Sequence, residues 1–344
     1  MPPSVTVIVP CYNEEQTIHL LLEALYRQDY DHQNLEIIIA DGLSTDNTRQ
    51  VIQNFQFDHP SLLIRIIDNP KKIIPAALNQ AIQAARGEII VRLDAHSMPY
   101  PDYISTTVTT LLAGKGDNVG GIWEIQPFRC GDRPASRIAR GIAAAAAHPL
   151  GAGDAHYRFT RTARAVDTVP FGAFRRDLTY KIGLYNESLL TNEDYEFNLR
   201  IRQHGGKIWL DPAIRSVYFA RRTLSSLISQ YWRYGYWKAQ MLRLNPTSIR
   251  WRQGIPPLFV LSLGCSAVLA FWVNWARLLL LFQVGSYSFV LFVAGLFQAR
   301  QKQEITLLFT FPVAIACMHI SWGTAFLWSM IRIGFLNLMG SRLR

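Results

Sequence analysis

The sequence predicts an α/β domain built on a mostly parallel sheet, followed by C-terminal transmembrane helices. Three observations carry this prediction. Strand-like and helix-like patterns alternate through residues 5–93. Polar groups directly follow three of the strand-like runs. Three stretches near the C-terminus, 253–276, 278–299 and 305–331, carry no Asp, Glu, Lys or Arg.

The elements follow in order. Residues 5–9 form a β-branched run closed by Pro10, a strand. Over 14–27, Ile18, Leu21, Leu22 and Leu25 recur with helical spacing. A second strand spans 36–40 and ends at Asp41-Gly42, and 46–55 reads as a helix. A third strand covers 62–67, and a helix over 74–85 is stopped by Gly87. The fourth strand, 88–93, ends at Asp94. Such alternation implies parallel strands with helices on both faces. The alanines at 143–147 suggest a small-residue helix packed closely on a neighbour. Asn192-Glu193-Asp194 opens a helix over 195–204, with Asn192 placed to cap it.

Ligands of open parallel sheets bind outside the carboxyl ends of the strands. Tyr12-Asn13-Glu14, Asp41 and Asp94-Ala95-His96 therefore face one crevice if their strands are neighbours. Each group also has a plainer reading. Asp41-Gly42 makes an ordinary turn, Asp94 caps a strand end, and Glu193 and Asp194 suit the positive end of a helix. Their joint occurrence points to a site.

Charge divides the chain. Residues 1–214 hold 21 Lys and Arg against 24 Asp and Glu, whereas 215–252 hold eight basic residues and no acid. The formal net charge of +10 therefore arises in the second half. Because the basic stretch directly precedes apolar sequence, anionic lipid explains it better than nucleic acid, and no nucleic-acid partner is expected. Uncharged runs of 18 or more residues are candidate spans. Three transmembrane helices are expected, against an alternative of one hairpin plus an interface helix, since Pro312, His319 and Gly323 weaken the third run. The domains expected are 1–215, catalytic; 216–252, a basic amphipathic segment; and 253–344, the membrane region.

Cys11, Cys130, Cys265 and Cys317 show no CxxC spacing, so neither a disulfide framework nor a zinc site is expected. Residues 1–9 lack the basic start and the long apolar core of a signal peptide.

VIVPCYNEE (7–15), IIADGLSTDNT (38–48), IIVRLDAHS (89–97) and TNEDYEFNLRIRQHGGKIW (191–209) resemble, in order and context, the successive motifs of glycosyltransferase family two, with its GT-A nucleotide-sugar fold. Within it, the His of DAHS, the YGYWK segment and the C-terminal apolar runs resemble the succinoglycan-type exopolysaccharide glucosyltransferases, the ExoA-like group. The resemblance implies that Pro10, Tyr12 and Glu14 hold the donor nucleoside and that Asp41 accepts a hydrogen bond from the uracil ring. It implies that Asp94 and His96 stand at the DxD motif, where a divalent cation bridges donor phosphates. It makes Glu193 and Asp194 the ED pair, with Asp194 as catalytic base. His96 replaces the second Asp of DxD, and imidazole suits Mn²⁺ better than Mg²⁺. Gln230, Arg233, Tyr234 and Trp237 resemble the acceptor-binding QxxRW motif, with Tyr234 in place of Trp. The alternative for that segment is an amphipathic interface helix.

The implied activity is inverting transfer of a sugar from a nucleotide diphosphate donor, UDP-glucose, to a lipid-linked saccharide. The alternatives within catalysis are a polyprenyl-phosphate sugar synthase and a processive synthase. A non-catalytic GT-A scaffold is the alternative outside it. The implied location is the inner (plasma) membrane, multi-pass, in contact with membrane lipids and with the catalytic domain cytoplasmic. Three spans place the C-terminus outside, while Arg332, Arg342 and Arg344 favour the inside.

Overall fold

The computed structural model of the protein describes residues 2–128, 134–153, 155–248 and 250–341. Cys130, Arg342 and Arg344 lie outside the described residues. The chain separates into two compact units, Met1–Glu124 with His156–Tyr218, and Ile125–Ala155 with Phe219–Arg344.

The first unit begins with β1 (Val5–Cys11), α1 (Ile18–Tyr26), β2 (Leu35–Asp41), α2 (Thr48–Asp58), β3 (Leu63–Asp68), α3 (Ile74–Ala84) and β4 (Ile89–Arg92), the alternation expected. β1 pairs in parallel with β2 and with β4, and β2 in parallel with β3. The register sets Cys11 opposite Asp41, and Asp41 opposite Asp68. β1, β2 and β4 are buried nearly throughout, so their runs show no polar alternation, as central parallel strands require. Period-two placement still sorts the side chains. Val7, Val9, Ile37, Ile39 and Val91 share a core with Leu21, Leu22 and Leu25 of α1. Ile8, Ile38 and Ile90 share the other with Leu78 and Ile82 of α3.

α1 starts four residues later than the sequence suggests. Residues 14–17 instead form a turn in which the Thr17 N–H donates to the Glu14 carbonyl, while the Glu14 N–H donates to Thr48 Oγ1 at 2.8 Å. The polar residues after β1 thus stay in a loop.

The sheet then continues through β5 (Ser97–Pro99) and, after α4 (Tyr103–Leu112), β6 (Asn118–Pro127). α5 (Arg137–Ala146) and α6 (Pro149–Ala152) belong to the second unit. β7 (Arg164–Val166), β8 (Ala173–Arg175), α7 (Leu178–Ile182), α8 (Glu193–Gln203) and β9 (Ile208–Ala220) follow. Strand order is β3-β2-β1-β4-β8-β6-β9-β5, with β7 also pairing β9. β4–β8, β6–β8, β5–β9 and β7–β9 are antiparallel. The parallel half is the part the sequence revealed.

The second unit contains α5, α6, α9 (Leu224–Leu244), α10 (Ile255–Leu269), α11 (Asn274–Gln301) and α12 (Leu307–Ser341). Ile142 and Ala143–Ala145 of α5 share a core with Phe311, Ala314, Ile315 and Met318 of α12. A Cβ on Gly141 would lie 2.5 Å from Thr310, the close packing expected of the small-residue helix. Trp251–Leu269, Asn274–Gln301 and Leu307–Gly334 are each long and apolar enough to cross a membrane, by length and composition.

Candidate active site

The loops after β1 and β2 are stitched together. The Asn13 N–H donates to Ser44 Oγ at 2.9 Å, and the Thr45 N–H returns a bond to Asn13 Oδ1 at 2.8 Å. The Asn47 N–H donates to Glu15 Oε2 at 2.9 Å. Asn13 has φ 54°, a left-handed conformation that Asn tolerates and that turns the chain sharply at the strand end. Pro10 closes β1, and Tyr12 stands out of the loop, 46% exposed, with its ring against Gly42. Lys72 Nζ lies 5.6 Å from that ring's centroid. An exposed ring beside a cation at the sheet's carboxyl edge suits a nucleoside and its phosphates.

Asp41 lies buried at the end of β2. Its side chain is 0% exposed, and its oxygens accept bonds from the Ser44 N–H and hydroxyl and from Arg49 Nε. Arg49 Nη2 also reaches Asp68 at the end of β3. This carboxylate holds the loop and aims Arg49.

The loop after β4 joins the first loop. His96 Nδ1 lies 3.1 Å from Glu14 Oε1, and Glu14 also accepts from the Thr17 hydroxyl. An ionised carboxylate only accepts, so Nδ1 carries the hydrogen. A carboxylate that fixes an imidazole in this way is the usual support of a metal-binding histidine. The side chains of Asp94 and His96 are 24% and 34% exposed. Among the described residues no cluster of three or more His, Cys, Asp or Glu could hold a metal ion. One carboxylate and one imidazole nevertheless fit an ion whose remaining ligands are substrate phosphates. Glu14 thus supports His96 from the loop the resemblance assigns to the nucleoside.

One residue that sequence reasoning missed ties this loop to α8. Arg92, 6% exposed at the end of β4, donates from Nη2 to Asp94 Oδ1 at 3.3 Å and to Glu193 Oε1 at 2.9 Å. Its signal was present, a lone cation within the apolar run IIVRL. Arg92 Nε and Nη1 are buried with no hydrogen-bond partner. Asn192 occupies the N-cap position of α8 with φ 68° and ψ 21°, yet its side chain makes no cap bond. The Asp194 carboxylate instead accepts from the Tyr195 N–H at 2.7 Å. Burial pushes the carboxyls of Glu193 and Asp194 above the usual range, and the Arg92 guanidinium opposes that shift in both. A carboxylate raised toward neutrality is a better proton acceptor.

Gln230, Arg233, Tyr234 and Trp237 lie on α9 in the second unit. Gln230 is buried, and its amide donates to the Tyr234 hydroxyl at 3.0 Å. Arg233 is exposed, and Trp237 is half-buried beside Tyr236. Lys238 is buried, donating to the Ser248 carbonyl at 2.9 Å.

The sequence model described as "Glycosyl transferase family 2" matches residues 6–183. The succinoglycan biosynthesis protein ExoA of Rhizobium meliloti (strain 1021) is 30% identical over 323 residues, 93% of either chain. A dolichyl N-acetyl-alpha-D-glucosaminyl phosphate 3-beta-D-2,3-diacetamido-2,3-dideoxy-beta-D-glucuronosyltransferase of Methanococcus voltae is 30% identical over 75% of this chain and 79% of that one. Among solved structures, the mannosyltransferase PcManGT of Pyrobaculum calidifontis, in complex with GDP-Man and Mn²⁺, superposes with a TM-score of 0.61. It covers 95% of this chain and 88% of that one at 21% identity, a likeness of fold.

Proposed function

The chain belongs to glycosyl transferase family 2 and has a GT-A-like fold, and from that premise we propose that it is an inverting, membrane-bound hexosyltransferase. It moves glucose from UDP-glucose to a lipid-linked saccharide in exopolysaccharide synthesis. The observation that carries this reading is the buried Arg92, whose one nitrogen bonds both Asp94 and Glu193. It joins the candidate donor-phosphate carboxylate to the residue beside the candidate base.

Tyr12 and Lys72 receive the nucleoside, and Arg49, aimed by Asp41, lies at the same edge of the sheet. Asp94 and His96 hold a divalent cation, which when bound supplies positive charge to the departing diphosphate. Glu14 keeps the His96 ring in place. Asp194 takes the proton from the acceptor hydroxyl as the new bond forms, a contribution of about 10²–10⁴-fold. A single displacement converts an α-linked donor into a β-linkage.

The acceptor assignment draws support from the M. voltae relative, whose name specifies a dolichyl phosphate-linked sugar. The exposed Arg233 suits bidentate pairing with a lipid diphosphate. The inner membrane, with the catalytic domain on the cytoplasmic side, is the location that goes with such substrates.

The test is a nucleotide-sugar screen with the purified full-length protein, with Mn²⁺, Mg²⁺ or EDTA. Metal-dependent turnover of UDP-glucose and a β-linked lipid product are expected. Full activity in EDTA would overturn the metal assignment, and no turnover of any nucleotide sugar would overturn the reading.

A further inference from the structure

Resting on the reading of Asp194 as the base, we propose that Glu187 is a positioning residue for sugar transfer. It fastens the segment that leads into Glu193 and Asp194 to the turn on the donor side.

The segment between α7 and α8 is bound closely to α8. Arg200 donates from Nη1 to the Ile182 carbonyl, and from Nη2 to the Leu184 carbonyl at 2.7 Å. Glu196 holds the same guanidinium, at 2.7 Å through Nε and 3.0 Å through Nη2. The buried Tyr185 ring stacks on Phe197, with centroids 4.4 Å apart and an interplanar angle of 18°. Segment 182–187 and α8 are therefore one fastened piece, and α8 opens with Glu193 and Asp194.

This piece is tied to α3 and to the turn before it. Asn79, buried on α3, accepts from the Tyr185 N–H at 2.8 Å. Its Nδ2 donates to the Tyr185 carbonyl at 2.9 Å and to Glu187 Oε1 at 3.0 Å. The other carboxylate oxygen, Oε2, lies 2.6 Å from Lys71 Nζ. Lys71 and then Asn79 hold the Glu187 carboxyl below the usual carboxylate range.

Lys71 stands in the turn between β3 and α3. The Asn69 N–H donates to the Asp41 carbonyl at 2.7 Å, and the Lys72 N–H to the Asn69 carbonyl at 3.0 Å, which fixes that turn to the end of β2. Lys72 has φ 55° and places Nζ over the Tyr12 ring, while Lys71 reaches Glu187. Two neighbouring lysines thus serve the two sides of the reaction. The Lys71 and Glu187 side chains are 62% and 34% exposed, and an ion pair so open to water adds little to stability. Its effect is on geometry, since a base displaced by about 1 Å can cost on the order of 10²-fold in rate.

The test compares full-length Lys71→Met, Glu187→Gln, their double variant and Lys71→Arg with wild type. Each single loss of the pair is expected to lower kcat by roughly 10-fold or more at unchanged KM for UDP-glucose. The double variant should be no slower than the slower single, because both remove one interaction. Lys71→Arg keeps the pair and should run near the wild-type rate. Wild-type kcat in Glu187→Gln overturns the proposal. So does a Lys71→Met variant whose only defect is a raised KM for UDP-glucose, the mark of a lysine that binds the donor itself. Amide hydrogen exchange over 183–192, measured on the same proteins without substrate, should quicken in both single losses and stay at the wild-type rate in Lys71→Arg. Unchanged exchange in the single losses overturns the fastening whatever sugar is moved. Failure of wild type to turn over any nucleotide sugar overturns the transfer reading instead, and the exchange result still decides whether Glu187 fastens the segment.

Discussion

Arg92 opposes burial at both carboxylates of the α8 start, and this gives the site a definite pH dependence. If Asp194 is the base proposed above, it must be ionised to accept a proton, and activity should fall as pH drops through its folded pKa. Because burial raises that pKa, the acid limb of kcat/KM lies above the range of an ordinary carboxylate, and Arg92→Lys, which loses the two-way bond, moves the limb to higher pH. An unchanged limb would remove Arg92 from the coupling. The same shift bears on stability. A carboxyl that holds its proton more tightly when folded weakens the fold as pH rises from its unfolded to its folded pKa. Asp194→Asn should therefore melt higher than wild type at pH 8, with the difference shrinking toward pH 4. His96→Asp makes an all-oxygen donor pair and should raise activity with Mg²⁺ relative to Mn²⁺, read as the ratio of activities with each. The residues after the strands were legible because a parallel sheet gathers its strand ends. Arg92 showed as a lone cation in an apolar run, but its bond to Glu193 and the Glu14–His96 contact were not legible, since both arise from tertiary packing between segments distant in sequence.

At the scale of elements, β1, β2 and β4 were readable from unbroken apolar runs. β5, β7 and β8 are three residues each and leave no periodicity to read. The antiparallel half of the sheet depends on close approaches rather than on pattern. A Cβ on Gly121 of β6 would sit 1.9 Å from the Ile214 carbonyl of β9, so Gly121→Ala must push the strands apart. A loss of roughly 1–3 kcal/mol is expected from denaturant unfolding. Gly254→Ala, whose Cβ meets nothing within 4 Å, serves as the control and should change little. Asn192 shows the converse limit. Its type suited a side-chain cap, but the chain bends there into a left-handed conformation that leaves capping to the Asp194 carboxylate.

Across the whole molecule, charge and apolarity were legible from composition, because the excess of cations and the uncharged runs are both confined to the second half. The association of 125–155 with the C-terminal helices was not, since no linker or shift in composition marks either end of that excursion. The same basic segment frames the acceptor question. If Arg233 pairs a lipid-borne diphosphate, Arg233→Lys should retain membrane association and donor hydrolysis yet sharply reduce transfer to lipid-linked sugar, because Lys cannot reproduce the bidentate geometry. Transfer at the wild-type rate would reduce Arg233 to an anchor. The proposed sugar transfer rests on Asp194, and the most direct measurement is the turnover of UDP-glucose onto lipid-linked acceptor by purified Asp194→Asn beside wild type, with donor affinity determined in parallel. A fall in kcat of at least ~10²-fold with unchanged donor affinity is predicted. Near-normal turnover would contradict the assignment of Asp194 as the base.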